Sequence, residues 1–415
     1  MHILFLTQVL PYPLDAGPKV RAYYVLRHLA ETHQVTLLSF VRSTDTDEAL
    51  AHLSSFCDGV HVVPMKRGRF LDGMHLLRSV VMGKPFIIQR DWVRAMVKRI
   101  DEVLASDGPF DAVHADQLWM APYALMAQQQ GEPANNMSAV LDQHNAVYLI
   151  PQRLAIGESN SFKRLLLERE SRKLAHFEVD VCSKFDHVVW VTQEDYQAVQ
   201  SESTGTNSVP NSGVIPICVD PLSTPMLERK PNAMRVTFLG GLHYPPNAEG
   251  ICWFAEHVFP SVLQRCPGAV LTVIGKQPPP RLSNLGIPDG NLEVTGYVTD
   301  PDPFLAETAT FVVPLHAGGG MRVKILDAWS WGLPVVSTTV GAEGIQYRDG
   351  KDIRIADSPS DFAAAVCDLI ESGEASRRMA ESARGWVSEH YDWRTTYQCW
   401  NSIYSVNQVR QVQIA

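Results

Sequence analysis

The chain has 415 residues, enough for two or three domains, and its 45% hydrophobic and 20% charged residues are ordinary for a globular protein. Its net charge of −9 argues against a dedicated nucleic-acid binder, which normally carries a basic surface. The seven cysteines include no CxxC pair and resemble neither a disulfide framework nor a zinc site, so we expect a cytoplasmic protein.

The first half of the sequence alternates short apolar runs with helical stretches. Predicted strands cover 2–7, 35–40, 60–64, 112–116, 139–145 and 187–192, and predicted helices cover 19–32, 94–105, 121–130 and 160–182. Continuous apolar runs separated by helices are typical of a parallel sheet that is covered by helices on both faces.

One basic segment interrupts the acidic first half. Between Lys66 and Arg99 there are nine basic and two acidic residues, with apolar residues among them. A peripheral contact with the inner membrane, or a surface for a lipid acceptor, is one interpretation. A helix with a basic outer face and an apolar buried face is the other. No apolar run of about 18 residues occurs, so we expect no spanning helix.

The second half repeats the alternation after a proline-spaced segment, 214–231. Predicted strands cover 235–241, 269–276, 292–298, 310–315, 334–340 and 353–357, and predicted helices cover 248–266, 322–331, 361–372 and 376–389. We therefore predict an α/β protein with two Rossmann-like, doubly wound parallel-sheet domains that face each other across a cleft. The predicted domains are 1–220 and 221–391, and a C-terminal helix in 392–415 is expected to return to the first domain.

The glycine-rich loop in the second half carries the strongest chemical signal. Gly318, Gly319 and Gly320 follow a predicted strand and precede a predicted helix. Free N–H groups and the positive end of the helix dipole make such a junction an anion site. Arg322 and Lys324 are predicted in the first helical turn, where cations oppose that dipole, and a negative ligand would offset this cost. A solvated helix start with basic side chains is the alternative interpretation.

Polar residues at other strand ends of the first half are further candidates. Gly17 lies in the loop before the first predicted helix and is expected to bring backbone close to a ligand, and Lys19 and Arg21 are expected to add charge. A simple helix cap is the alternative. Asp116 and His144 lie at the ends of two predicted strands. Either residue is a candidate for orienting a reacting hydroxyl, and a structural role is equally open.

Five segments together carry a family resemblance. They are PYPLDAGPKVRAYYVLRHLA, FLGGLHYPPNAEGICWF, TGYVTDPDPFL, VPLHAGGGMRVKILDAWSWGLPVVSTTVGAEGI and YDW. They resemble retaining glycosyltransferases of family 4 (group 1), which have the GT-B fold and use nucleotide sugars, and in particular the sugar transferases of exopolysaccharide gene clusters.

The resemblance implies transfer of a sugar from a nucleoside-diphosphate sugar to an acceptor hydroxyl, with retention and without a metal or other cofactor. In such enzymes the leaving phosphate is thought to help deprotonate the acceptor, which is expected to be a glycan, a lipid-linked molecule or a small molecule. The residues that we assign to donor binding are Gly17, Gly241, Gly275, Gly319, Gly320, Met321, Arg322, Lys324, Asp327 and Glu343. Lys19, Arg21 and Asn145 are assigned to the acceptor side, and Asp116, His144 and Lys324 are the candidate catalytic residues.

The sequence departs from the family pattern at charged positions. Gly319 stands where the family has the first of two glutamates, and Asp327 replaces the second, which contacts the ribose hydroxyls. Gly241 and Asn247 stand where many members have an arginine and a lysine. Our hypothesis is that Lys324, helped by Arg322 and loop N–H groups, meets the diphosphate charge instead.

Two other classes of protein remain compatible with this sequence. A nucleotide-sugar 2-epimerase can share the fold and would turn over without an acceptor. A non-catalytic two-lobed binding protein is the third interpretation. An NAD enzyme is disfavoured because FLGGLHYPPN lacks the GxGxxG pattern.

Overall fold

The computed structural model describes residues 1–65, 68, 72–74, 79, 83–131, 137–203 and 208–405. Much of the predicted basic segment, 66–99, and the last ten residues of 392–415 therefore lie outside the described residues. The chain divides into two compact units. Unit 1 is Met1–Cys218 together with the segment that begins at Trp393, and unit 2 is Val219–Asp392.

Unit 1 contains a parallel sheet. In its described residues, seven strands lie in the order β3-β2-β1-β4-β5-β6-β7. The strands are β1 His2–Thr7, β2 Gln34–Val41, β3 Gly59–Pro64, β4 Ala112–Asp116, β5 Ser138–Gln143, β6 His187–Trp190 and β7 Gly213–Val214. The helices are α1 Gly17–Ala30, α2 Asp47–Ser54, α3 Phe86–Asp91, α4 Arg94–Ser106, α5 Ala121–Gln130, α6 Leu149–Gly157, α7 Ser161–Cys182 and α8 Gln193–Ser201. The central strands are buried on both faces, which explains their continuous apolar runs.

Unit 2 repeats this architecture. Its described residues include six parallel strands in the order β10-β9-β8-β11-β12-β13. They are β8 Arg235–Leu239, β9 Val270–Ile274, β10 Leu292–Gly296, β11 Thr308–Val313, β12 Val335–Ser337 and β13 Arg354–Ile355. The helices are α9 Pro245–Trp253, α10 Phe259–Arg265, α11 Asp302–Leu305, α12 Val323–Ser330, α13 Pro359–Glu371 and α14 Gly373–His390. The helix α15 Trp393–Thr396 belongs to unit 1, and residues 400–405 beyond it are also helical.

The largest difference from the predicted elements is in the helix expected over 248–266. It begins at Pro245 and is interrupted by a π-helical turn, Phe254–Val258, before α10 begins. Pro260 lies in the first turn of α10 and lacks an N–H group, so the regular i→i−4 ladder cannot continue through it. The helices α2 and α8 were not predicted, although Thr46 and Thr192 cap them through their hydroxyl groups.

Both sheets contain a point at which the strand order reverses. It lies between β1 and β4 in unit 1 and between β8 and β11 in unit 2. The strands that flank such a point send their following loops in opposite directions, and ligands of open parallel sheets bind in the crevice that results. Residues close to this point in each unit are therefore the strongest candidates for binding a ligand.

Gly275 gives a direct test of how closely the strand ends of unit 2 pack. A Cβ atom at Gly275 would lie 1.9 Å from the carbonyl oxygen of Gly240. We expect Gly275→Ala to lower the free energy of unfolding of unit 2 by about 1–3 kcal/mol, because backbone must move to admit the methyl group. Gly385→Ala is the matched control, since that glycine lies within α14 and a Cβ there meets nothing within 4 Å. This control is expected to be stabilising by up to about 1 kcal/mol. Equal urea midpoints for the two variants would contradict the packing argument.

Candidate functional site

The glycine-rich loop of unit 2 has the geometry of an anion site. Gly318 has φ +115° and Gly320 has φ +73°, values that favour glycine. A Cβ at Gly318 would also lie 3.0 Å from both the Arg322 guanidinium and the Tyr244 hydroxyl. α12 follows at once, and no side chain caps its start. Within its first turn, the N–H groups of Val323 and Ile325 donate to the carbonyl oxygens of Met321 and Arg322, at 3.2 and 2.9 Å, and the N–H of Lys324 remains for a ligand.

The Arg322 side chain is hydrogen-bonded to the backbone of this loop. Its Nη1 donates to the carbonyl oxygens of Gly319, at 2.6 Å, and Gly320, at 3.0 Å. The side chain is buried, and its Nη2 lies 4.0 Å from the Glu343 carboxylate. The expected position of Arg322 in the first helical turn is wrong, because α12 begins at Val323 and Arg322 precedes it. The carbonyl contacts tie the guanidinium to the loop backbone.

Lys324 lies at the point where the strand order of unit 2 reverses. Its Nζ donates to Asn247 Oδ1 at 2.9 Å, and Asn247 Nδ2 donates to the Gly241 carbonyl oxygen at 2.9 Å. The ammonium group also lies 4.5 Å from the centre of the Phe238 ring. A Cβ at Gly240 would come within 2.6 Å of Nζ, so the glycine makes room for the cation. The half-buried lysine thus contacts the asparagine that stands where the family has a cation.

Burial strongly perturbs the two charged groups of α12. Burial and the neighbouring Arg322 lower the pKa of Lys324 to about 7, against the opposing effect of Asp327. Burial raises the pKa of Asp327 to about 7, and the Lys324 charge offsets this only in part. A bound anion would favour the charged form of Lys324. Perturbed groups of this kind are typical of functional sites.

The other predicted donor residues of unit 2 lie at the same edge of its sheet. Gly241 follows β8, Gly275 follows β9, and Glu343 lies beyond β12, whose strand neighbours β11. Parallel strands place their carboxyl ends at one edge, so these residues share it with the glycine-rich loop. Met321, which follows the loop in sequence, is buried.

Unit 1 contains a buried polar cluster that includes several predicted residues. The Arg21 guanidinium forms a two-pronged ion pair with Asp142, with Nε–Oδ2 and Nη2–Oδ1 distances of 2.9 Å. His144 Nε2 lies 2.9 Å from Asp116 Oδ1 and 3.7 Å from Asp142 Oδ2. All four side chains are buried, and they come from α1 and from the ends of β4 and β5. The cluster therefore lies at the point where the strand order of unit 1 reverses.

The carboxylates of this cluster determine its charge. Burial alone would lower the pKa of His144, but Asp116 and Asp142 raise it to about 9. Despite burial, Arg21 and His144 hold the pKa of Asp142 well below its usual range. His144 is therefore cationic at neutral pH, so it is not poised to act as a base.

Arg21 has a different role from the acceptor-side charge that was expected. It is fully buried, and Nη1 donates to the Pro216 carbonyl oxygen at 2.7 Å and to the Tyr397 hydroxyl at 3.2 Å. These contacts make Arg21 a positioning residue for Asp142. The ion pair between Arg21 and Asp142 was not predicted, because the two residues are 121 positions apart in the sequence. The available signal was a carboxylate directly after the apolar run 139–141 of β5.

The remaining predicted residues of unit 1 are Gly17, assigned to donor binding, and Lys19 and Asn145, assigned to the acceptor side; they lie near the start of α1 and beyond β5. Gly17 is the first residue of α1, and Lys19 forms an ion pair with Asp15 at 3.0 Å. Asn145 is half-buried, and its carbonyl oxygen accepts a 3.0 Å hydrogen bond from Gln143 Nε2. Buried Glu178 holds the same loop, since it accepts hydrogen bonds from the backbone N–H groups of Val147 and Tyr148.

The cluster also offers a possible set of metal ligands. One ligand atom each from Asp116, Asp142 and His144 lies within 4.8 Å of the others. Both Asp142 oxygens already accept hydrogen bonds from Arg21, however, and His144 carries a second positive charge. We therefore assign the charge balance to these two cations, and the absence of a required metal remains a prediction.

The charge of His144 predicts a pH-dependent contribution to stability. Its pKa is raised from 6.5 to about 9 on folding, so its contribution is complete below about pH 6.5 and is lost as the pH rises through 9. Such a shift corresponds to about 3 kcal/mol. We expect the difference in unfolding free energy between the native chain and His144→Gln to be largest near about pH 6 and to shrink by about this amount near about pH 10. Urea titrations at both pH values measure it, and a pH-independent difference would contradict a buried imidazolium.

The family comparison identifies the domain that contains the glycine-rich loop. Residues 233–372 match the family model described as glycosyl transferases group 1. This range includes Gly241, Asn247, Lys324, Asp327 and Glu343. The glycine-rich loop and α12 therefore lie in the part of the chain that is similar to this family.

Two relatives are similar to this chain in sequence. An uncharacterized 44.6 kDa protein in the cps region of Klebsiella pneumoniae is 23% identical over 410 residues, which are 96% of this chain and 97% of that protein. The lipopolysaccharide core biosynthesis glycosyltransferase LpsE of Rhizobium meliloti is 30% identical over 135 residues, which are 30% of this chain and 38% of LpsE.

The fold is similar to that of WaaG, a glycosyltransferase involved in lipopolysaccharide biosynthesis, with a TM-score of 0.62 and 12% identity, covering 95% of this chain and 98% of that one. Anabaena Alr3699/HepE in complex with UDP has a TM-score of 0.66 and 14% identity, covering 98% of this chain and 100% of that one. The predicted GT-B fold, with two Rossmann-like parallel-sheet domains, is confirmed. Across the helices that the structure describes, we find none with both the length and the apolar character to cross a bilayer.

Proposed function

We propose that this protein is a retaining, metal-independent glycosyltransferase that moves a sugar from a nucleoside-diphosphate sugar to an acceptor hydroxyl. The observation that carries the proposal is the position of Lys324. Its ammonium group lies beside Gly240 and Asn247, next to an uncapped helix start and a glycine-rich loop, within the part of the chain that is similar to glycosyl transferases group 1. The ammonium group, the helix start and the loop backbone together form a cationic site of the kind that binds a diphosphate.

The chemistry of transfer explains why such a cradle is useful. As the bond to the anomeric carbon breaks, negative charge grows on the leaving diphosphate while the sugar becomes oxocarbenium-like. The Lys324 ammonium group and the backbone N–H of Lys324 stabilise that negative charge without reorganising. Because Lys324 has a pKa of about 7 in the free chain, the incoming diphosphate also promotes its protonation. Asp327, one turn further along α12, is the residue that we assign to the ribose hydroxyls.

The buried cluster of unit 1 has a separate role in this proposal. Cationic His144, fixed between Asp116 and Asp142, is assigned to orient a hydroxyl group of the acceptor or of the donor sugar. In this proposal the leaving phosphate, and not His144, takes the acceptor proton. A dedicated nucleophile is then unnecessary.

The relatives support a role in polysaccharide or glycoconjugate biosynthesis. One lies in a cps region and another is a lipopolysaccharide core glycosyltransferase, and HepE has been solved with UDP and with UDP-glucose. We therefore propose UDP as the first nucleotide to test, a glycan or lipid-linked acceptor, and a cytoplasmic location.

Thermal-shift measurements test the donor half of the proposal. The chain is screened against UDP, GDP, ADP, dTDP and their sugars, with and without EDTA. A ligand at a hundredfold excess over its dissociation constant stabilises the folded state by about 2.7 kcal/mol. We expect one nucleotide class to raise the melting temperature equally in both conditions. If none does so in well-folded material, the proposal fails.

Turnover measurements then test the transfer half. With the identified donor and a glycan acceptor, we expect a glycoside whose anomeric configuration, read by NMR, matches that of the donor sugar. Inversion would overturn the retaining mechanism alone. Conversion of the donor into another nucleotide sugar without any acceptor would establish a 2-epimerase and overturn the transferase.

A further inference from the structure

An exposed apolar surface lies at the junction of α6 and α7 in unit 1. We call it the α6–α7 tip, and it comprises residues 153–173. Ile156 is 83% exposed, Phe162 is 69% exposed and Leu165 is 56% exposed, and Leu154 and Leu166 are also exposed. Single exposed apolar residues need no explanation, but five within 13 residues form a patch that water solvates poorly.

The direction of this patch on α7 excludes a role in the core of unit 1. The core side of α7 carries Ser171, Leu174 and Glu178, all of them buried. At 100° per residue, Phe162, Leu165 and Leu166 form a stripe on the opposite side of the helix. Each residue from 161 to 166 is exposed, so the first turns of α7 project from the body of the unit.

The tip is basic in an acidic protein. It contains six cations, Arg153, Lys163, Arg164, Arg169, Arg172 and Lys173, and three acidic residues, Glu158, Glu168 and Glu170. Its net charge of +3 contrasts with −9 for the whole chain. Exposed apolar side chains flanked by lysine and arginine are the pattern of helices that lie in the interface of an anionic membrane.

We propose that the α6–α7 tip docks the protein on an anionic lipid surface. Phe162 and its apolar neighbours enter the acyl boundary, and the cations meet lipid phosphates. A second copy of the chain is a poor occupant, because two tips of charge +3 repel each other. This surface is separate in sequence from the predicted basic segment 66–99. The described part of that segment adjoins the tip, where Lys173 Nζ donates to the Ser79 carbonyl oxygen at 3.3 Å.

Vesicle sedimentation tests the proposal independently of sugar transfer. The full chain is mixed with vesicles of phosphatidylglycerol and phosphatidylcholine, or of phosphatidylcholine alone. We expect binding to the anionic vesicles that weakens with salt, because the cations of the tip each contribute about fivefold to affinity near such a surface. Leu165→Glu and the double variant Lys163→Glu/Arg164→Glu are each expected to reduce the partition coefficient at least about tenfold.

Matched controls separate the tip from general effects of charge. Leu222→Glu changes a leucine in unit 2 that is 70% exposed, more than Leu165, and Arg377→Glu/Arg378→Glu reverses two adjacent exposed arginines there. Both controls are expected to bind vesicles as the native chain does. Circular dichroism confirms that all variants are folded.

Three outcomes would overturn the proposal. The first is equal binding to anionic and neutral vesicles, or to neither. The second is an equal loss of binding in the tip variants and their controls. The third is a native chain that is dimeric by light scattering and becomes monomeric in Leu165→Glu, which would make the tip an interface between copies.

Discussion

Lys324→Ala is expected to weaken the affinity for a nucleoside diphosphate about ten- to a hundredfold, because a charge-assisted hydrogen bond to phosphate contributes roughly 1.5–3 kcal/mol. Lys324 is the half-buried cation at the reversal point of the unit 2 sheet, and the residues around it leave space for its ammonium group. Isothermal titration calorimetry with the nucleotide found by thermal shift measures the effect. Affinity within about twofold of the native value would refute the assignment of Lys324 to the diphosphate.

Two further variants make this test specific. Lys351→Ala removes an exposed lysine of the same unit and is expected to leave affinity unchanged. Gly240→Ala keeps Lys324 but places a methyl group 2.6 Å from its Nζ, so it should displace the ammonium group and weaken binding in the same direction. If Gly240→Ala binds normally, the ammonium position is not the determinant.

The pH dependence of binding provides an independent readout of the same group. The pKa of Lys324 is about 7 in the free chain, and a bound diphosphate raises it. Affinity should therefore be greatest below pH 7 and fall as the pH rises through 7, by up to about tenfold per pH unit. Calorimetry in buffers of different ionisation enthalpy should show proton uptake near pH 7.5, and both effects should be absent in Lys324→Ala.

Arg21→Met is expected to lower the free energy of unfolding of unit 1 by about 3–5 kcal/mol, because it leaves the Asp142 carboxylate buried without its partner. The guanidinium now forms two 2.9 Å contacts with that carboxylate and reaches the Pro216 carbonyl and the Tyr397 hydroxyl as well. Urea titration measures the loss, and Arg42→Met at an exposed position is the matched control. A loss below about 1 kcal/mol would contradict a structural role for the ion pair.

A double-variant cycle shows whether Arg21 acts through Asp142. Arg21→Met/Asp142→Leu removes both charges and should recover much of the stability that Arg21→Met loses, because a matched apolar pair can replace a buried ion pair. Losses that simply add would mean that the two residues act separately. The cycle also reports on His144, whose pKa depends on Asp142.

Much of the fold was predictable because its signals are local. Apolar runs at 2–7 and 112–116 coincide with β1 and β4, and the helical spacing at 121–130 coincides with α5. The short helices α2 and α8 were missed because their capping threonines were not considered. The π-helical turn before Pro260 was missed because a proline-interrupted helix retains its apolar spacing.

The candidate site of unit 2 was predictable to a lesser degree. A glycine-rich segment between a strand and a helix identifies an anion site from sequence alone. The separate roles of its two cations were not predictable, because they depend on side-chain direction. Arg322 turns back to the carbonyl oxygens of Gly319 and Gly320, whereas Lys324 meets Asn247 from α9.

The sequence by itself determined two doubly wound parallel sheets and the position of a phosphate-type loop, since periodicity, glycine and helix starts act over a few neighbouring residues. Only the tertiary structure decided that Arg21 pairs with Asp142, 121 positions away, and that the resulting cluster keeps His144 charged. Burial and distance set the strength of an electrostatic interaction, and both are properties of the folded chain.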